Sequence, residues 1–313
     1  MKKNLAVIIP VFNNEDSIDQ LILRIFSLEK KLNNYILNII MIDDGSVDSS
    51  WKRMNDIHKQ YKGIKILKLT RNFGQMNAII AGFKFSNHGL SVVLSADLQD
   101  PPEIIQKLLV EHEKGFEMVI AARKKRDDGF FNNIFSRLAW KILNKINSFQ
   151  IPYGGFDYFL ISEKIKEIIN KSSNKDVFIQ GKILNTGYSS STIYYNREKR
   201  VYGKSQTSIF KKVKYLIDGI YAYSIVPIKF ISIFSLLLFI FSLFLSVIYF
   251  TLYFMYDNLV PGWTTIIVGM FLLFSFNFLI LSVLAEYLWR INLNTNLEES
   301  YVVEKIIEPI KNY

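Results

Sequence analysis

The stretch Leu90–Glu103 reads LSVVLSADLQDPPE and decides how the rest of the chain is interpreted. Its apolar run, Leu90–Leu94, has the length of a buried strand. Asp97, Gln99 and Asp100 follow where this strand ends, and the Pro-Pro-Glu triplet after them is typical of a helix start. Carboxylate and amide oxygens crowded at a strand end suit a hard cation such as Mg²⁺ or Mn²⁺. The alternative is a polar loop whose acids cap the next helix, and this stretch alone leaves both open.

Three earlier runs that are predicted to be strands end in polar loops of the same kind. Leu5–Ile9, Ile36–Ile42 and Ile64–Leu69 are followed by PVFNNE, DDGS and TRNFG, and a fifth run lies at 116–122. Helical periodicity separates these runs, so the chain is predicted to form an α/β domain with a mostly parallel sheet. Ligands of such sheets bind beyond the carboxyl ends of the strands. Four ligand-like loops at that edge favour a functional site over a purely structural sheet.

Half of the 313 residues are hydrophobic, and the excess lies after residue 224. Ile231–Tyr256 and Asn258–Ala285 contain no charged residue. About 20 apolar residues cross a bilayer core, so we predict two transmembrane helices, at about 231–256 and 263–287. Lysines and arginines flank this pair but are missing from the turn inside it, which by the positive-inside rule places both termini and the first domain in the cytoplasm. We expect no signal peptide, because Pro10 and acids interrupt the first apolar run.

These patterns divide the chain into four predicted segments. They are a cytoplasmic domain at 1–204, an amphipathic interfacial segment at 205–228, the two transmembrane helices within 229–289 and a cytoplasmic tail at 290–313. The net charge of +10 fits attraction to phosphates or anionic lipid. We expect no nucleic-acid partner, because no such motif accompanies the charge. The chain has no cysteine and its three histidines have no metal-ligand spacing.

The motifs VIIPVFNNED, IDDGSVD, TRNFGQMNAIIAG and ADLQDPPE resemble, in order and spacing, those of family 2 glycosyltransferases. GGFDYFLI, REKRVYGKSQ and the hydrophobic pair ending in AEYLWRI are similar to the polyprenyl-phosphate branch, which includes dolichol-phosphate mannose synthase and bactoprenol glucosyltransferases. The resemblance covers nearly the whole chain and implies a GT-A fold. It implies inverting transfer of one sugar from a nucleotide-sugar, expected to be a UDP-sugar, to undecaprenyl phosphate at the bacterial cytoplasmic membrane. The product would supply lipid-linked sugar for cell-envelope glycan modification.

The resemblance also implies roles for individual residues. Asp97 and Gln99 would hold Mg²⁺ or Mn²⁺ against the donor diphosphate, and Asp157, like Asp97, would be catalytic, beside the reacting sugar. The residues expected to hold the nucleoside are Pro10, Phe12, Asn13, Glu15, Asp43 and Asp44. The residues expected to receive the acceptor phosphate are Arg123, Arg137, Arg197, Arg200 and Ser205.

The chain departs from the family pattern at three places. Relatives usually read DADLQD, and Ser95 replaces the first of these aspartates; Gln75 and Gln206 stand where basic residues are usual. Two rival interpretations remain. A processive polysaccharide synthase of the same fold would carry a QxxRW motif and more spans, which this sequence lacks. A membrane-bound scaffold without activity is the second, suggested by Ser95. Formation of a homo-oligomer is left open.

Overall fold

The computed structural model describes residues 2–124, 152, 156–171, 179–198, 226–255, 262–295 and 300–310. The two glycines of the GGFDYFLI motif and residues 205–225 of the predicted interfacial segment lie outside the described residues. The described chain falls into two compact units, one formed by residues 1–219 with 298–313 and one by residues 220–297.

The strands are β1 Lys3–Val11, β2 Tyr35–Asp43, β3 Ile64–Leu69, β4 Leu90–Val93, β5 Met118–Arg123, β6 Tyr158–Ile161, β7 Ser190–Tyr195 and β8 Val303–Ile307. The helices are α1 Ile18–Glu29, α2 Ser50–Gln60, α3 Gln75–Lys84, α4 Ile104–Glu113, α5 Glu163–Lys171, α6 Ile179–Leu184, α7 Val226–Met255 and α8 Trp263–Thr295.

The predicted mostly parallel sheet is confirmed. The strand order is β7-β5-β6-β4-β1-β2-β3-β8. Parallel pairs join β1 to β2 and β4, β2 to β3, and β5 to β7. Strand β6 is antiparallel to both β4 and β5, and β8 is antiparallel to β3. The chain adds β2 and β3 on one side of β1 and then β4 on the other side. The gap between β1 and β4 is therefore the switch point at which open α/β sheets bind ligands.

The core of the first unit lies on both faces of this sheet. Side chains along β1 alternate between the two faces: Leu5, Val7 and Ile9 pack with α1, α2 and α4, whereas Ala6 and Ile8 pack with α3, α5 and α6. Because successive strand residues point to opposite faces, a strand buried on both sides must be apolar at every position. Burial on both faces of the sheet explains why β1 is an apolar run in the sequence.

The C-terminal segment is not simply a tail, as residues 290–313 were expected to be. Strand β8 pairs with β3 at one end of the sheet, and Tyr301, just before it, is buried. The backbone N–H of Thr70 donates to the carbonyl of Val302 at 3.0 Å. The chain therefore returns to the α/β unit after the hydrophobic helices and covers the edge that β3 would otherwise expose.

The second unit consists of the two predicted apolar helices, α7 and α8. Their most apolar windows, Ile233–Leu252 and Thr265–Leu284, have mean hydropathies of 2.6 and 2.5. Both are long and apolar enough to cross a membrane, and most of their described apolar side chains are exposed. The helices contact each other, as the rings of Phe239 and Phe276 show at 6.3 Å. Exposed apolar surface of this extent is typical of helices that face lipid.

Candidate active site

The predicted site residues within the described chain collect at one edge of the sheet. Strands β1, β2, β4, β5 and β7 all end there, because they run in the same direction. Strand β6 runs the opposite way, so its first residue lies at that edge and brings Asp157, which precedes it, to the same place. Arg123 at the end of β5 is in register with Tyr195 at the end of β7.

The loop after β4 holds Asp97 in a fixed orientation. Asp97 Oδ1 accepts hydrogen bonds from the Ser95 hydroxyl at 3.0 Å and from the Gln99 N–H at 3.2 Å. The turn requires a positive φ of 59° at Leu98, a strained conformation for a bulky residue that is typical of functional loops. Asp97 is 8% exposed and Gln99 is half-buried. One carboxylate and one amide beside a diphosphate are a set of oxygen donors that suits Mg²⁺ or Mn²⁺.

Asp100 does not cap the following helix, which was one of the two interpretations of its sequence position. Helix α4 has Glu103 at its N-cap, without a side-chain cap. The Asp100 carboxylate is 1% exposed and instead accepts hydrogen bonds from the Tyr195 hydroxyl and from Arg197 Nε. Burial raises the pKa of Asp100, while Arg197 and Arg123 oppose this shift. The loop after β4 is thus connected to the segment after β7.

Two predicted acceptor-phosphate residues lie beside the predicted catalytic and metal-binding acids. Arg123 Nη2 is 3.2 Å from Asp157 Oδ2, and Arg197 Nη2 is 3.7 Å from Asp97 Oδ2. Gln180 Nε2 also donates to Asp157 Oδ1 at 3.4 Å. The guanidinium groups and carboxylates therefore alternate along the site, with positive charge available close to the place where a metal and a diphosphate would lie.

The loops after β2 and β3 are joined by Asp44. Its carboxylate accepts hydrogen bonds from the N–H groups of Phe73 at 2.7 Å and Gly74 at 2.9 Å. Burial raises the pKa of Asp44 to about 6. The two hydrogen bonds lower this pKa, and the neighbouring charge of Asp43 raises it further. Asp43 is fully buried, and its Oδ2 has no hydrogen-bond partner among the described residues. An orphaned buried oxygen fits a ligand that brings a donor, as a nucleoside does.

The loop after β1 is tied to the start of α2. Asn13, at a positive φ of 53°, accepts from the Val47 N–H and donates its own N–H to Ser46 Oγ. Glu15 Oε2 accepts from the Ser49 N–H at 2.8 Å. Glu15 therefore has a structural role, and its contact with a nucleoside stays a prediction. Pro10 is buried within β1, and Phe12, in the loop after it, is half-buried.

Three predicted acceptor residues, Arg137, Arg200 and Ser205, lie outside the described residues. Conversely, Tyr195 and Tyr158 were not among the predicted site residues. Tyr158 donates its hydroxyl to the carbonyl of Pro101 at 3.1 Å, so both tyrosines hold the loop after β4. No local signal marks either residue, because each tyrosine is separated in the chain from the loop that it holds by more than 50 residues.

A second acidic cluster lies elsewhere, at the beginning of β4. His88, Glu163 and Glu167 have ligand atoms close enough to share a cation. However, Glu163 already accepts from the Gly89 N–H and pairs with the buried Lys166 at 2.8 Å. The His88 side chain is 93% exposed. This cluster is at the amino end of β4, away from Asp97, and its contacts are those of a structural ion-pair group.

The chain matches the model of glycosyl transferase family 2 over residues 6–169, which is just over half of its length. It therefore belongs to this family and is a glycosyltransferase. A solved mannosyltransferase from Pyrobaculum calidifontis, in complex with GDP-Man and Mn²⁺, shares the fold with a TM-score of 0.51 and 15% identity, covering 71% of this chain and 64% of that one.

Several curated relatives match over almost their whole length. An uncharacterized glycosyltransferase of Synechocystis is 29% identical, covering 98% of this chain and 96% of the relative. The bactoprenol glucosyl transferase of Shigella phage SfX is 27% identical, covering 96% and 98%. The undecaprenyl-phosphate 4-deoxy-4-formamido-L-arabinose transferase of Proteus mirabilis is 27% identical, covering 98% and 96%. The shared length includes the hydrophobic helices, so the likeness extends beyond the family 2 domain.

Proposed function

We propose that the protein transfers a single sugar, with inversion, from a UDP-sugar to undecaprenyl phosphate at the cytoplasmic face of the membrane. The observation that carries this proposal is the placement of Arg197 next to Asp97 and of Arg123 next to Asp157 at one sheet edge. Donor metal ligands and phosphate-binding arginines are thereby within reach of one another. The similarity to a bactoprenol glucosyl transferase and to an undecaprenyl-phosphate transferase supports the choice of acceptor.

The acceptor's chemistry explains why this site needs no strong base. A phosphate monoester has a second pKa of about 6, so its oxygen is already anionic at neutral pH. That oxygen attacks C1 of the sugar, the new C1–O bond forms, and the bond from C1 to the diphosphate breaks, leaving UDP. No proton has to be removed. The main burden is to bring two anions together and to stabilise the leaving group.

The residues of the site divide this work. Asp97 and Gln99 would hold a divalent cation, which when bound neutralises charge on the diphosphate. Arg123 and Arg197 bind the acceptor phosphate, because the guanidinium fork matches phosphate oxygens. Asp157, whose carboxylate is fixed by Arg123, orients a sugar hydroxyl or stabilises positive character at C1. Helices α7 and α8 anchor this unit in the membrane, where the lipid phosphate lies at the headgroup level.

The test is a donor screen with purified full-length protein, undecaprenyl phosphate and a divalent cation, scored by the mass of the lipid product. We expect one sugar per lipid phosphate. A long polymer would indicate a processive synthase, and no product with any donor would favour the inactive scaffold.

The metal assignment is tested by Asp97→Ala, with His88→Ala as the matched control in the second acidic cluster. Asp97→Ala should lose Mn²⁺ binding, measured by electron paramagnetic resonance, and with it turnover. His88→Ala should change neither. Metal binding that survives in the Asp97 variant and disappears in the His88 variant would contradict the assignment.

A further inference from the structure

Asp100 and Tyr195 form a buried pair in the middle of the site. They are 1% and 5% exposed, and the Tyr195 hydroxyl donates to Asp100 Oδ1. Arg197 Nε donates to the same carboxylate oxygen at 3.2 Å. Arg123, at the end of β5, is the register partner of Tyr195. The pair therefore holds Arg197, which follows β7, and lies next to Arg123.

The fold alone gives little reason to bury a carboxylate here. Asp100 Oδ2 has no hydrogen-bond partner among the described residues, and α4 begins without help from this side chain. A buried charge that is only partly satisfied is costly, and a well-packed apolar group would often be more stabilising. The carboxylate is explained if its task is to hold Arg197.

We propose that Asp100 and Tyr195 are positioning residues that fix Arg197 in the orientation that receives the acceptor phosphate. This inference rests on the proposed function, in which the two arginines bind polyprenyl phosphate. Asp100 engages Arg197 through Nε, and the contact of Nη2 with Asp97 Oδ2, at 3.7 Å, is longer than a hydrogen bond, so the terminal nitrogens can still donate to a phosphate. A free arginine side chain would have to lose its rotamer freedom on binding, whereas a fixed one has lost it already.

The backbone around Arg197 is fixed as well. The N–H of Glu198 donates to the carbonyl of Gln99 at 2.9 Å. The Glu198 carboxylate is in turn held by Arg24 of α1 at 3.0 Å. Arg197 is thus held through its side chain by Asp100 and through its neighbour by the metal-binding loop. These contacts hold the proposed acceptor arginine next to the loop that carries the proposed metal ligands.

Kinetics of Tyr195→Phe and Asp100→Asn test this role. Tyr195→Phe removes a single hydroxyl, and we expect the KM for undecaprenyl phosphate to rise roughly tenfold, the usual effect of losing one hydrogen bond to a charged group. Asp100→Asn, which also loses the charge, should raise it further. The KM for the UDP-sugar should change less than about twofold. The matched control is Tyr35→Phe, which removes a buried hydroxyl bonded to Glu113 at 2.9 Å at the other edge of the sheet.

A second readout needs no substrate. Phenylglyoxal labelling of Arg197, followed by peptide mass spectrometry, should be at least about threefold faster in both variants than in the wild type or Tyr35→Phe. Unchanged labelling would overturn the inference, as would a donor KM that rises as much as the acceptor KM, because the pair would then support only the metal loop. Faster labelling in variants of a protein that makes no glycolipid would refute the proposed function and leave the positioning role intact.

Discussion

Lowering the pH from 7 to 5 should weaken binding of the nucleotide about tenfold through Asp44. Its carboxylate joins the loops after β2 and β3 by accepting from two N–H groups, of Phe73 and Gly74, and only the ionised form accepts both well. With a pKa of about 6, roughly one Asp44 in ten is ionised at pH 5, against about nine in ten at pH 7. If the nucleotide binds only when these two loops are joined, its affinity should follow the ionised fraction of Asp44.

The sign of the stability effect separates this loss of binding from acid unfolding. Burial raises the pKa of Asp44 in the folded protein from 3.8 to about 6. The folded state therefore takes up the proton first, and the contribution of Asp44 to stability increases as the pH falls from about 6 to about 4, by about 2–3 kcal/mol. Protonation of Asp44 should therefore weaken nucleotide binding and at the same time stabilise the folded state.

Isothermal titration with UDP at pH 5, 6 and 7 measures the effect, with Asp44→Asn as the comparison. The variant should bind weakly at pH 7 and show a flatter pH dependence. Titration of the UDP phosphate itself is common to both proteins, so the difference between their slopes isolates Asp44. Equal slopes in the two proteins would refute the reasoning.

Three further predictions concern the loops and the sheet edge. Gly45→Ala would place a Cβ 2.5 Å from the backbone of the TRNFG loop and should abolish UDP binding, whereas Gly63→Ala, also at positive φ but 3.6 Å from its nearest neighbour, should only lower the melting temperature. Ser95→Ala removes the hydroxyl bond to Asp97 and should weaken Mn²⁺ binding roughly tenfold by electron paramagnetic resonance; unchanged affinity would contradict the positioning of Asp97 by Ser95. Deleting residues 300–313 exposes the β3 edge and should lower the melting temperature by roughly 5 °C or more, and an unchanged melting temperature would contradict the role of β8.

Sequence patterning predicted the parallel part of the sheet because its causes are local. The run Ile64–Leu69 became β3 with the predicted bounds, and α4 begins at Ile104, directly after the Pro-Pro-Glu triplet that predicted a helix start. In β3 the four apolar residues are buried and the two lysines are half-buried, and before α4 two prolines fix the helix start. The polar loops after β1 to β4 meet at one edge because parallel strands end together, as the Ser17 hydroxyl bond to the Ala96 carbonyl illustrates.

What the sequence did not predict depends on contacts that are distant in the chain. Strand β8 pairs with β3, more than 200 residues earlier, and its short run VEKII does not alternate clearly. The bond between Tyr195 and Asp100 joins positions 95 residues apart. The antiparallel direction of β6, which brings Asp157 to the active edge, has no local signature either. Residue type and spacing identify the loops, but the tertiary structure decides which of their side chains meet.

The serine at position 95 is the departure from the family pattern that most directly questioned activity, and its contacts favour a working site. An aspartate there would add a second carboxylate beside Asp97, whereas the serine hydroxyl donates to Asp97 Oδ1 at 3.0 Å and fixes that carboxylate. The other oxygen, Oδ2, is on the side of Arg197 at 3.7 Å. Compared with an aspartate, Ser95 lowers the negative charge of the loop after β4 but preserves the orientation of Asp97, its predicted metal ligand. If Asp97 binds a cation as proposed, Ser95 keeps its carboxylate in place, and this contact favours a glycosyltransferase over a scaffold without activity.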